Sequence, residues 1–218
     1  MIEKLFELIA PDECLGCGLE GGCLCMACEK TLMTPKKPSC VMCNALNNDN
    51  TVCDKCRART NLSGASIAYR YHGVVKDLIA MMKFENKRSI ARYFGSKLPI
   101  IKPDSEYIVS FVPCDGPSRR ARGYDQAELL AKSYARSTSS DFRPLLVRIK
   151  HKKQVGQKRS DRFTNVAGNF QIKAGRLDGQ HVILVDDVVT TGATISECTR
   201  VLREAGAKSV WALAVAKK

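Results

Sequence analysis

Histidine is scarce in this 218-residue chain: His72, His151 and His181 lie far apart, so the sequence gives no support to Ser/His/Asp catalysis. No apolar run approaches the roughly 18–20 residues that a membrane span needs, so no membrane insertion is expected. The first residues, MIEKLFELIAPDEC, carry Glu3 and Glu7 and lack an apolar signal core, which points to a cytoplasmic protein. Internal repeats and low-complexity segments are missing too. Apolar residues at 44% suffice for a core, and charged residues at 26% exclude wholesale disorder. Acids are in short supply, with 22 Asp and Glu against 35 Lys and Arg, a net charge of +13.

Cysteine, by contrast, is abundant and uneven. Nine of the eleven cysteines precede residue 57. Residues 1–60 hold 7 basic against 8 acidic side chains, and residues 61–218 hold 28 against 14. These shifts divide the chain into a Cys-rich module, residues 1–60, and a basic α/β domain, residues 61–218.

The cysteines form four Cys-x-x-Cys knuckles: Cys14 with Cys17, Cys25 with Cys28, Cys40 with Cys43, and Cys53 with Cys56. One knuckle lets two thiolates of a tight turn grip an ion, and two complete a four-thiolate site. Eight ligands would hold two structural Zn²⁺. A disulfide framework suits a secreted chain better, and no ferredoxin spacing supports an iron–sulfur cluster. Sequential pairing leaves gaps of 7 and 9 residues between knuckles, interleaved pairing 22 and 24. The shorter gaps favour sequential pairing, with the interleaved one left open. Cys23 reads as a bystander thiol. The module's plain role is a folding clip, since sixty residues with few large apolar side chains cannot build a core unaided. A contact with protein or nucleic acid is its sharper role.

After residue 61, strand and helix patterns alternate. Ser66–Tyr71, Ile108–Val112, Leu145–Ile149, Val182–Val185 and Ser209–Ala216 read as strands. Val75, Leu78, Ile79 and Met82 keep helical spacing. So do Ile90, Phe94 and Leu98; Ala127, Leu130, Ala131 and Tyr134; and Ile195, Cys198, Leu202 and Ala205, a stripe that stops at Gly206. Such alternation predicts a parallel sheet flanked by helices.

One string carries the chemistry. Val182–Thr194 reads VILVDDVVTTGAT: a buried strand ending at Asp186 and Asp187, then Val188, Val189, Thr190, Thr191, Gly192, Ala193 and Thr194 leading into a helix. Amides of Thr190–Thr194 at a helix N-terminus suit a phosphate, with Gly192 allowing close approach and the threonines adding hydroxyl donors. The carboxylates suit the 2′- and 3′-hydroxyls of a ribose. The site therefore fits a ribose 5-phosphate at the carboxyl end of a parallel strand.

This string resembles the phosphoribosyl-pyrophosphate (PRPP) loop of type I phosphoribosyltransferases. Its surroundings, in order, are Lys83-Phe84, then Pro113, Arg122-Gly123-Tyr124-Asp125-Gln126-Ala127, then Gln154, Arg162 and Asn165. With the four-knuckle module, this order is similar to the ComF family. That resemblance implies a type I phosphoribosyltransferase-like domain, a role in DNA uptake during natural transformation, and partners in the uptake machinery. It also implies that the stretch after Pro113 is a loop facing pyrophosphate and that residues 150–168 form a flexible flap. Arg119, Arg120 and Arg122 on the first, and Lys158, Arg159 and Arg162 on the second, would offset the leaving group's charge beside Mg²⁺. The family commonly has RGFNQ where this chain has RGYDQ, so Asp125 adds a charge near the expected anion site.

Eight basic side chains crowd residues 143–162, among them Lys150, Lys152, Lys153, Lys158 and Arg159. A charge run is usually a solvated face, yet a positive groove with a few aromatics also suits single-stranded DNA. Three functions therefore stand at this point: a DNA-uptake protein with a PRPP-type site, a metabolic phosphoribosyltransferase acting on a base or amine, and a ligand-sensing regulator that binds without turnover. No nucleobase pocket is recognisable. Tyr69, Tyr71, Phe84 and Tyr93 are candidate stacking residues, with core packing expected for most of them.

Overall fold

Five strands make the central sheet, and all their pairings are parallel. In chain order they are β1 (Gly64–Arg70), β2 (Tyr107–Phe111), β3 (Asp141–Phe142), β6 (His181–Val189) and β7 (Ser209–Lys217), arranged β1-β7-β6-β2-β3. The computed structural model describes residues 13–20, 22–32, 34, 39–47, 51–101, 106–149, 166–173 and 175–218. Helices connect the strands. α1 (Met26–Lys30) and α2 (Asp54–Thr60) belong to the Cys-rich region. α3 (Gly73–Phe84) and α4 (Arg88–Lys97) follow β1, and α5 (Gly116–Arg122) and α6 (Gln126–Ser137) follow β2. α7 (Ala193–Glu204) joins β6 to β7.

Strand alternation divides the core. On β6, Ile183 and Val185 face one apolar cluster with Leu78, Phe94 and Leu130, while Val182 and Leu184 face a second with Ile195, Cys198 and Leu202. Side chains two apart share a sheet face, so a four-residue apolar run packs both layers. The helical stripes expected from the sequence lie in these layers.

Three expectations differ in detail. The strand near residue 145 is β4 (Leu146–Arg148), and it leaves the main sheet to pair antiparallel with β5 (Phe170–Ile172). The strand read as ending at Asp186 continues to Val189, because its backbone stays in register with β7 as far as Val189 opposite Lys217. Leu98 falls just beyond α4 yet remains buried.

Among the described residues, apolar side chains of the Cys-rich region join both layers. Cys14, Cys23 and Leu24 pack into the first, and Val41, Met42, Val52 and Cys56 into the second. Among the described residues, no helix is long and apolar enough to cross a membrane.

Candidate functional site

The carboxylate pair sits at the carboxyl end of β6, a central strand. Asp187 is 5% exposed and held on both oxygens. Lys83 Nζ donates to Oδ1 at 2.9 Å and Gln126 Nε2 to Oδ2 at 2.8 Å. Asp186 is half-buried, and its Oδ1 accepts the Asp187 amide at 2.8 Å. Burial first, and then the adjacent Asp187 charge, push the Asp186 carboxyl well above the usual range. A buried charge needs a partner, and Lys83 supplies the cation that lets two neighbouring carboxylates share this strand end.

Lys83 and Gln126 reach Asp187 from α3 and α6, 104 and 61 residues away in sequence. Both appear in the motif order quoted above, but nothing local in the sequence pairs them with Asp187. Gln126 in turn accepts from Arg122 at 2.8 Å, and the Arg122 guanidinium lies 5.8 Å from the Phe84 ring centroid.

Beyond Val189, Thr190 is exposed and Gly192 caps α7 at φ +73°. First-turn amides of a helix lack a carbonyl partner four residues back, so those of α7 are directed toward the carboxyl edge of the sheet. The glycine is required twice over, once by φ and once by space. A Cβ there would meet Met42 Cε and stand 2.6 Å from Met42 Sδ. Met42 belongs to the third knuckle and is 6% exposed. Lys217 Nζ donates to the Cys40 carbonyl at 2.8 Å, tying the same knuckle to β7 beside Val189.

The stretch after Pro113 is the helix α5 rather than a loop. Asp115 caps it by accepting from Ser118 N at 2.7 Å, and a proline stands in its first turn. Arg119 points to Glu128 at 3.6 Å, while Arg122 turns to Gln126 and Phe84. Asp125, the added charge in RGYDQ, stands at the N-cap of α6. It is buried, caps α6 by accepting from Ala127 N at 3.1 Å, and accepts from Cys114 N at 2.8 Å. Aspartate here does the capping work that asparagine also performs. Lys150, Lys152, Lys153, Gln154, Lys158, Arg159, Arg162 and Asn165 lie outside the described residues. Where description resumes, Gly168 N donates to Glu197 Oε1 of α7 at 2.6 Å, anchoring that end of the expected flap.

Two sets of cysteine sulfurs converge, Cys14, Cys17, Cys25 and Cys28 in one and Cys40, Cys43, Cys53 and Cys56 in the other, each within 4.8 Å. The pairing is the sequential one. Cys17–Cys25 and Cys43–Cys53 sulfurs stand 3.7 Å apart. That is far beyond a disulfide's roughly 2.05 Å. It matches the edge of about 3.8 Å for four thiolates around an ion at roughly 2.3 Å. The Cys25 amide draws the Cys14 thiol down to about 6, while crowding by Cys25, Cys14 and Cys17 pushes Cys28 up to about 12. Burial raises Cys40, but the amides of Cys53, Cys43 and Met42 outweigh it and bring it to about 6. Burial and then the thiols of Cys43 and Cys53 take Cys56 up to about 12. Four convergent sulfurs at these separations are a donor arrangement compatible with structural zinc. Gly16 fits this packing, since a Cβ there would stand 2.7 Å from Cys28 Sγ.

A parallel sheet with an acidic strand end, a threonine-glycine turn onto a helix and a preceding pair of four-cysteine clusters defines a phosphoribosyltransferase-like protein with an added Cys-rich region. The phosphoribosyl transferase domain family matches residues 127–218. Three curated relatives extend across nearly the whole chain. Competence protein ComFC of Bacillus subtilis (strain 168) is 26% identical over 210 residues, covering 91% of this chain and 82% of the relative. ComFC of Streptococcus pneumoniae (strain ATCC BAA-255 / R6) is 28% identical over 196 residues, covering 88% and 86%. Competence protein F of Haemophilus influenzae (strain ATCC 51907 / DSM 11121 / KW20 / Rd) is 29% identical over 208 residues, covering 88% and 90%. Over nearly its whole length the chain is similar to these competence proteins.

Proposed function

We propose that this protein acts in DNA uptake during natural transformation, binding PRPP or another ribose 5-phosphate at the end of β6 and single-stranded DNA on its basic surface. The carrying observation is the juxtaposition of the Asp186–Asp187 pair with the Thr190–Thr194 turn at the N-terminus of α7. Vicinal hydroxyls suit the carboxylates, and a 5′-phosphate suits the helix amides one short turn away. The competence names of the three relatives support the biological setting.

Loss of pyrophosphate from PRPP develops positive charge on the sugar and negative charge on the leaving group. Asp186 and Asp187 suit the first; Lys83 and Arg122, close to that pair, suit the second, with Arg119, Lys158, Arg159 and Arg162 as further cations. Oxygen donors at Asp186 and Asp187 fit Mg²⁺, which when bound with PRPP would supply charge neutralisation at the pyrophosphate. The eight knuckle cysteines would hold two structural Zn²⁺. Residues 1–60 then form the zinc module and residues 61–218 the phosphoribosyltransferase-like domain, in a protein expected in the cytoplasm beside partners of the uptake machinery. Lys150, Lys152, Lys153, Lys158 and Arg159 are the expected strand contacts. A metabolic phosphoribosyltransferase acting on a base or amine is the second reading, favoured by the family match over residues 127–218.

Isothermal titration of PRPP with Mg²⁺, repeated with single-stranded DNA bound, tests both. PRPP binding lost in an Asp186→Asn/Asp187→Asn variant supports the site, and unchanged affinity in that variant overturns it. Competition by DNA favours the uptake reading. Independent binding of the two turns attention to a screen of acceptor bases.

A further inference from the structure

Phe84 ends α3 with 78% of its surface exposed. One exposed apolar side chain is ordinary. This one is set apart by how it is held. Its neighbour Lys83 carries the ammonium on Asp187, and the Arg122 guanidinium lies over its ring, 5.8 Å from the centroid. Arg122 donates to Gln126, and Gln126 donates to the other Asp187 oxygen. A closed circuit therefore runs from Asp187 through Lys83 to Phe84, across to Arg122, and back through Gln126. Each link is a short polar contact, a cation–π contact or one peptide bond, so two routes tie the ring to the residues that hold Asp187.

Resting on the ribose-phosphate reading above, we propose that Phe84, with Arg122 beside it, is the stacking platform for the nucleobase of a nucleoside 5′-monophosphate bound at Asp186 and Asp187. The base of a nucleotide is joined to the carbon next to the 2′,3′-diol. A diol at the carboxylates therefore carries its base within the neighbourhood that Lys83 and Gln126 tie to Phe84. An exposed phenyl offers a π-face to any base, and a guanidinium on the same platform adds cation–π attraction. Such a platform discriminates a ring from no ring, and tolerates different bases, which agrees with a sequence that shows no dedicated base pocket.

The test is isothermal titration of the zinc-loaded full chain with ribose 5-phosphate and with AMP. Stacking worth about 1–3 kcal/mol per base makes AMP bind roughly 5- to 150-fold more tightly than ribose 5-phosphate. In Phe84→Ala and Phe84→Leu that ratio falls to about one, and in Phe84→Trp it is retained. Equal affinities in the wild type, or a ratio unchanged in Phe84→Ala, overturn the platform while leaving the ribose-phosphate reading intact. Failure of ribose 5-phosphate and AMP alike overturns that reading, and the platform with it.

Discussion

Gly192→Ala should damage this protein for two separable reasons. At φ +73° an L-residue costs about 1–2 kcal/mol, whatever surrounds it. The added methyl also meets Met42, whose Sδ stands 2.6 Å from the ideal Cβ position. An ordinary contact needs about 3.5–4 Å, so Met42 or the turn must shift by roughly 1 Å. Methionine is flexible at its end, but Met42 is buried between Cys40 and Cys43, which limits where it can go. Overpacking of this kind costs about 1–3 kcal/mol. Together the two effects predict a loss of about 2–5 kcal/mol, or roughly 5–20 °C in Tm for a chain of this size. Thermal unfolding with zinc saturating is the assay. In a cycle with Met42→Ala, the steric part should appear as a coupling of about 1–3 kcal/mol, leaving the backbone part behind. A Gly192→Ala protein within about 0.5 kcal/mol of wild type, or strict additivity with Met42→Ala, would refute the argument that the third knuckle packs against the turn.

Three further outcomes are expected. Asp186→Asn should raise Tm at neutral pH while weakening PRPP binding, because burial and the Asp187 charge oppose ionisation of the Asp186 carboxyl in the folded state. A carboxyl raised on folding costs stability once pH exceeds its unfolded value near 4, so the variant's advantage should vanish below about pH 4; unfolding curves across pH 3–8 that run parallel would contradict this. Stripping metal with a chelator should lower stability across the whole chain and release two zinc ions per protein by colorimetric assay, because Val41, Met42, Val52 and Cys56 pack in the same layer as Ile195 and Leu202. Unfolding confined to the Cys-rich region would count against shared packing. Replacing Lys152, Lys153, Lys158 and Arg159 by alanine should flatten the salt dependence of single-stranded DNA binding by up to about three in log–log slope, and an unaltered slope would remove these side chains from the interface.

Much of the architecture follows from short-range pattern. Four Cys-x-x-Cys turns announce tetrathiolate chemistry because each ligand pair is local, and the shorter gaps already favoured the pairing that the sulfurs adopt. Apolar runs and helical stripes marked the strands and helices for the same reason: burial on a sheet or helix imposes a period of 2 or 3.6 on neighbouring residues. Val182–Thr194 was legible as strand, acids, turn and helix. Its strand end was not, because whether Val188 and Val189 continue the ladder depends on β7 lying alongside.

Only the tertiary structure decided who meets whom. Lys83 and Gln126 close on Asp187 because the helices that precede and follow β2 pack against the sheet beside β6. That adjacency is set by the strand order β1-β7-β6-β2-β3 and by no local spacing. Asp125, read from sequence as a charge near the expected anion site, is a buried helix cap that also accepts from the Cys114 amide. Met42 lies inside the third knuckle, and the fold laid it on Gly192. Local composition determined which chemistries the chain can perform. Packing across long sequence separations determined which side chains share a site, since a partner's charge, bulk or exposed ring acts only where the fold delivers it.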